Sequence, residues 1–415
     1  MLVKAKFKSL LSDKFVRNSG WMGVSELLHR ISRLVTTVIL ARMFTPYDYG
    51  LVAVIYTAWS FGNIFTLRNG VGSKIIQVNE DDLEAVCLTS YWLNWILCGS
   101  IALIQALAAF PIAKFYGSDE LIFPLITLSL LYLIIPFFLV QEALIRRQNR
   151  LKIVAFAKGA LAIATNLITA LLAILGMGVW AVVLGMLLAY PVQMIILNRS
   201  YRWKPSKFFK IDKWQEVLSY GGNLLGVSLL EQLRKNIDYL IVGKFLGVDA
   251  LGIYFFAFNA GSGISNNVIM AFTSSMFPYF CEVRENVQQL RTRFFTSLKK
   301  SSLVIIPLII LQSSLAPFYV PIIFGQKWAS AVPILVIICL SVIPVVVYHA
   351  TNHLLNSLNK IKLNLYWNLI FTVLFALVLL IAVQYNVLVV AITVLICQVL
   401  NAVFCVGIIK YLFKK

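Results

Sequence analysis

Residues 363–409 read LNLYWNLIFTVLFALVLLIAVQYNVLVVAITVLICQVLNAVFCVGII, without a single Asp, Glu, Lys or Arg. Two apolar runs, 363–383 and 388–409, flank the polar turn Tyr385–Asn386. A helix needs about 20 mostly apolar residues to cross the roughly 30 Å hydrocarbon core. Backbone in lipid must satisfy its own hydrogen bonds, so this stretch reads as a helical hairpin through a membrane. Ten similar runs precede it, at 20–41, 47–67, 86–110, 121–141, 153–175, 179–197, 217–242, 249–280, 302–323 and 331–350. The expected fold is an all-α polytopic membrane protein with twelve transmembrane helices. Composition agrees. Of the 415 residues, 60% are hydrophobic and 13% charged, against about 25% charged in soluble proteins. That excludes a water-soluble enzyme. The eighth run is too long for one straight crossing and contains Gly252, Gly261 and Gly263, which predicts a bend or an extension beyond the bilayer.

The net charge is +19. In a soluble chain it would suggest nucleic acid, but here it sorts by membrane side. The N-terminus and the loops after even-numbered runs hold 27 basic residues, including Lys4, Arg17, Arg68, Lys74, Arg146, Arg150, Lys204, Arg284, Lys360 and Lys415. The opposite side holds four: Arg42, Lys114, Lys244 and Lys327. The positive-inside rule therefore puts both termini in the cytoplasm and removes nucleic acid as a partner. The first run is full length and lacks a small-residue cleavage site, so it is expected to remain as a span. Aromatics between the basic residues near 198–215 suggest an interfacial helix on anionic lipid. Five of the six cysteines lie in the runs, and no spacing suggests a metal or disulfide framework.

The chain reads as a direct repeat. RMFTPYDYG at 42–50 is echoed by KFLGVDALG at 244–252, and NRLK at 149–152 by NKIK at 359–362. Pro124 and Pro136 are echoed by Pro333 and Pro344. Six helices per copy keep both copies in one orientation, which is the parallel-repeat transporter plan. The expected organisation is an N-lobe at 1–200 headed by a basic amphipathic segment, a basic cytoplasmic linker at 201–215, and a C-lobe at 216–415.

The first helix of each lobe carries ionisable side chains at i, i+3, i+4 and i+7, which share one face. They are Glu26, His29, Arg30 and Arg33, and then Glu231, Arg234, Lys235 and Asp238. Each ionisable group at the bilayer centre costs about 2.5–3.5 kcal/mol, so both faces must point into protein or water. The i, i+4 pairs Glu26–Arg30, Glu231–Lys235 and Arg234–Asp238 could simply neutralise one another. The functional alternative is a hydrated cavity offering Arg30, Arg33, Arg234 and Lys235 to an anionic substrate, an Arg fork being suited to phosphate. His29 and Lys158 would add cavity polarity. Glu26, Glu231 and Asp238 would set the geometry or bind a coupling H+ or Na+.

ILARMFTPYDYGLVAV at 39–54 resembles a signature of the polysaccharide transporter family, Wzx-type lipid-linked oligosaccharide flippases of the MOP exporter superfamily. Leu40, Ala41, Arg42, Pro46, Asp48, Tyr49 and Gly50 carry the match. NGVGSKIIQ at 69–77 resembles the segment that follows, with a departure at Arg68, to which no role is assigned. The resemblance implies flipping of undecaprenyl-pyrophosphate-linked repeat units across a bacterial inner membrane, for O-antigen, capsule or exopolysaccharide. A polysaccharide polymerase and a chain-length regulator are the implied partners, beside membrane lipids. A cation-coupled multidrug exporter would favour acidic cavities, and a lipid II flippase would share the cationic one. A membrane enzyme is disfavoured: no DxD, Ser/His/Asp set or Gly-rich nucleotide loop is present. His349 and His353 lack a third ligand for a metal, and no cofactor is expected.

Overall fold

The computed structural model describes residues 32–206, 209, 211–273 and 275–413. The predicted runs become helices, and among the described residues there is no strand. Residues 32–43 form α1. There follow α2 (Pro46–Phe65), α3 (Arg68–Gln77), α4 (Glu80–Tyr116), α5 (Ile122–Ile134), α6 (Pro136–Arg147), α7 (Leu151–Ile174) and α8 (Val179–Ser200). Then come α9 (Trp214–Phe245), α10 (Gly247–Thr273), α11 (Met276–Cys281), α12 (Val287–Tyr319), α13 (Val332–Ser357), α14 (Ile361–Ala382) and α15 (Val387–Leu412). Eight helical stretches among the described residues are long and apolar enough to cross a membrane, and the α5–α6 pair, bent by 46°, makes nine. The first predicted run is described only from residue 32 on. The seventh and eighth are α9 and α10, whose polar residues keep them out of that count. The chain divides into two compact units, Met1–Leu233 and Arg234–Lys415.

Local chemistry sets the helix ends. Thr45 N donates to Asp48 Oδ2 at 2.8 Å, while Asp48 N donates to Thr45 Oγ1 at 3.2 Å. This reciprocal capping box, with Pro46 in the first turn, starts α2 where two orphan amides need partners. Tyr49 donates to Thr37 O at 3.3 Å and Gly50 is buried. Most of the 39–54 signature is therefore a device for turning α1 into α2. Arg42 is exposed on α1.

Some echoed positions share a turn conformation. Asn149 (φ 54°) precedes α7 and Asn359 (φ 57°) precedes α14, both left-handed, a region Asn tolerates better than other side chains. Gly117 (φ 69°) and Gly325 (φ 108°) precede the 3-10 turns Asp119–Leu121 and Gln326–Ala331. The proline echo is less faithful: Pro136 opens a new helix after a bend, whereas Pro344 sits inside continuous α13. The eighth run stays helical through its glycines. α10 runs unbroken through Gly252, Gly261 and Gly263, and the extra length becomes α11. Gly261 instead lets α10 approach α13, since a Cβ there would lie 3.2 Å from Leu335 and Cys339. The linker also departs from expectation. Residues 201–206 are not helical. Trp203 packs edge-on against Tyr91 at 5.8 Å and Phe209 against Trp92 at 5.5 Å. Trp203 and Phe209 are thus spent on α4.

Candidate functional site

In the first unit a cavity of about 560 Å³ opens among α2, α3, α6, α7 and the first half of α9. That volume is in the range of small-molecule sites. Arg68, Glu142, Arg146 and Lys158 line it, with Trp59, Asn63, Ser73, Ser228 and Gln232.

The break between α2 and α3 positions the first cation. Leu67 adopts a left-handed conformation (φ 51°), which ends α2 and starts α3 at Arg68. The carbonyl this frees at Thr66 accepts from buried Asn94 Nδ2 at 2.9 Å, so the break leaves no orphan there. Arg147 closes the other end of α3. Its Nη1 donates to the carbonyls of Ile75, Ile76 and Val78 at 2.9, 3.1 and 2.6 Å, and its Nη2 to Glu80 at 2.8 Å. One residue of the basic loop is thus a structural clamp rather than only a topological charge.

Glu142 sits on α6, its side chain 6% exposed. Its Oε2 accepts from Arg68 Nη2. Its Oε1 accepts from Arg146 Nη2 at 2.6 Å and Nε at 3.2 Å. Lys158 Nζ lies 4.0 Å from the same oxygen. The Arg68 guanidinium also lies 5.1 Å from the Phe138 ring centroid, a favourable cation–π distance. Three cations around one carboxylate leave a formal excess of two positive charges on the cavity wall. Such a surface attracts phosphate and repels cations.

Trp59 is the aromatic residue of the lining, backed by two tyrosines. Trp59 stacks on Tyr132 at 4.9 Å with an interplanar angle of 21°, and meets Tyr190 edge-on at 6.0 Å. Tyr132 is fully buried and donates to Gln105 Oε1 at 2.7 Å. Gly62 makes room for it: a Cβ there would fall 2.0 Å from the Tyr132 hydroxyl.

The sequence-predicted residues are dispersed. Glu26, His29 and Arg30 lie outside the described residues. Arg33 is exposed on α1 and is not among the cavity-lining residues. Lys158 is among them. Glu231 and Lys235 are exposed on α9. Arg234, in the second unit, lies over the Tyr348 ring at 4.3 Å and donates to Tyr348 Oη and to Asn368 Oδ1, the latter at 2.6 Å. Asp238 is buried and accepts from Tyr254 Oη at 2.8 Å. Arg234 and Asp238 therefore turn to different partners, and the i, i+4 pair open to them on α9 is not made. Arg68, Glu142 and Arg146 were missed as site residues. The available signal was Glu142, an acid where an apolar run meets a basic loop.

At the linker, Lys213 Nζ reaches Asp82 at 3.3 Å, and that hydrogen bond holds the ammonium pKa above its ordinary value.

Comparison with known proteins decides the family. Residues 39–333 match the family described as polysaccharide biosynthesis protein. The chain belongs to this family. It is 29% identical over 385 residues to the teichuronic acid biosynthesis protein TuaB of Bacillus subtilis, covering 90% of this chain and 77% of that one. It is 24% identical over 337 residues to the lipopolysaccharide biosynthesis protein WzxC of Escherichia coli, covering 79% and 67%. Among solved structures, lipid II flippase MurJ in an inward closed conformation superposes with TM-score 0.77 at 12% identity, covering 94% of this chain and 87% of that one. An inward-facing multidrug resistance MATE family transporter of the MOP superfamily gives 0.68 at 13%, covering 93% and 96%. At such identities these likenesses establish the fold. This family member is an all-α, multi-pass membrane protein with the fold of MOP-superfamily transporters.

Proposed function

We propose that this protein is a flippase for undecaprenyl-pyrophosphate-linked oligosaccharide repeat units, working by alternating access in a bacterial inner membrane with both termini cytoplasmic. The observation that carries the reading is the Arg68–Glu142–Arg146–Lys158 cluster on the cavity wall. A polysaccharide-biosynthesis family member with this fold needs a place for a charged headgroup inside a membrane. Three cations with one buried counter-ion provide it, while the lipid tail stays in the bilayer. The arginines on α3 and α6 lie at the basic, cytoplasmic side, where the substrate would enter. The exported unit would then pass to a polymerase and its chain-length regulator. H+ or Na+ coupling would run through membrane acids, of which exposed Glu231 and buried Asp238 are described.

The test is leaflet-resolved detection of lipid-linked glycan in cells lacking the protein. Accumulation of one repeat unit on the cytoplasmic leaflet is expected. No accumulation together with lost tolerance to cationic drugs would replace this reading by a drug exporter.

A further inference from the structure

The cavity lining combines cationic and aromatic side chains on one continuous stretch of chain. Arg68 stands at the start of α3, and Trp59 stands about two and a half helical turns earlier on α2. Asn63 lies between them and also lines the cavity. We propose that the cavity reads the junction of a glycosylated lipid phosphate, with the phosphate at Arg68, Arg146 and Lys158 and the sugar attached to it stacked on Trp59. This rests on the flippase reading and adds a selecting residue to it.

Three observations support the assignment. First, Trp59 reaches the cavity surface although its ring is stacked on Tyr132 and braced by Tyr190. A ring held on one face and at its edge is a pre-organised platform, which lowers the entropic cost of capturing a second flat surface. Second, the brace is itself fixed. Tyr132 is buried, hydrogen-bonded to Gln105, and accommodated only because residue 62 is Gly. Tyr132 is thus a positioning residue for Trp59. Third, the apolar face of a hexose suits an aromatic ring, while Asn63 and Ser60 supply hydrogen-bonding groups at the same wall. An acceptor of bare lipid phosphate would need the cations alone.

The test uses the full chain in nanodiscs, with farnesyl pyrophosphate as one probe and farnesyl pyrophosphate carrying a single glucose as the other. The wild type is expected to bind the glucosylated probe about five- to tenfold more tightly than the bare one. Trp59→Ala should erase that ratio, and retained binding of the bare probe reports a folded cavity. Trp59→Phe, which keeps a ring, should retain most of the ratio. Tyr132→Phe should reduce it without touching bare-probe affinity. Arg68→Ala should weaken both probes alike. Equal binding of the two probes by the wild type, or an unchanged ratio in Trp59→Ala, would overturn the role of Trp59 and leave the flippase reading standing. Binding of neither probe, or bare-probe binding indifferent to Arg68→Ala, would overturn the cationic site and this inference with it.

Discussion

At the residue scale the decisive group is Glu142, because one carboxylate organises three cations. Removing it leaves Arg68 and Arg146, 22% and 37% exposed, without their shared counter-ion. Breaking a buried ion pair from one side costs about 3–5 kcal/mol, so Glu142→Ala should markedly lower the thermal midpoint of the purified protein. Glu142→Gln should fall by less, since the amide oxygen still accepts one arginine. A midpoint unchanged in Glu142→Ala would show that the cluster is solvated and carries little energy. The arginines themselves should tolerate Lys poorly. Arg146 presents Nε and Nη2 to one oxygen, a fork that an ammonium does not reproduce. Glycan export measured in cells should therefore drop in Arg146→Lys as well as in Arg146→Ala, at normal protein level. Full export by Arg146→Lys would make charge alone sufficient. Glu142 and Arg146 were both plain in the sequence as charges at a loop edge. Their convergence with Arg68 was not, because it depends on the left-handed Leu67 that separates α2 from α3.

At the element scale, helix approach is set by single glycines. A Cβ on Gly185 of α8 would lie 2.0 Å from Thr169 Oγ1 and 3.1 Å from Thr169 Cα on α7. Gly185→Ala should therefore push α7 and α8 apart at a cost of about 1–3 kcal/mol, read as a lower melting midpoint in detergent. Adding Thr169→Ala removes the nearest atom and should recover part of the loss. If the double variant is no more stable than Gly185→Ala, the clash is with the backbone. The start of α2 gives a contrasting prediction. Asp48→Ala opens the capping box and should cost about 1 kcal/mol, with affinity for bare farnesyl pyrophosphate unchanged. A changed affinity would give the Pro46–Gly50 signature a role beyond the turn. The helices were legible in advance because apolar run length reports the bilayer directly. Helix ends were less so: α12 begins at Val287, well before its apolar run, and carries Arg291, Arg293, Lys299 and Lys300 within one helix.

At the scale of the whole molecule, charge distribution sets orientation. In a cysteine-free background, a cysteine at position 204 should be labelled by a membrane-impermeant maleimide only from the cytoplasmic side. One at position 177 should be labelled only from outside. Inverted labelling would place the basic loops outside and remove the entry side assumed for the substrate. The aromatic packing of Trp203 and Phe209 against Tyr91 and Trp92 predicts that position 204 is reached more slowly than exposed position 284.

What the sequence determined by itself was class and helix order, and its charges supplied an expected sidedness. These follow from local quantities: the length of an apolar run, the sign of the charge beside it, the φ a given turn residue tolerates. It also carried the family signature, whose residues turned out to shape a helix start. What only the tertiary structure decided was which charges meet. The stripes headed by Glu26 and Glu231 shared a face by period, yet Arg234 pairs with Tyr348 and Asn368, more than a hundred residues away, and Asp238 with Tyr254. Arg68 and Glu142, separated by 74 residues, share a cavity wall because two helix breaks, at Leu67 and at Pro136, aim them there. Periodicity ranks the residues of one helix against each other; a site is made where several helices converge.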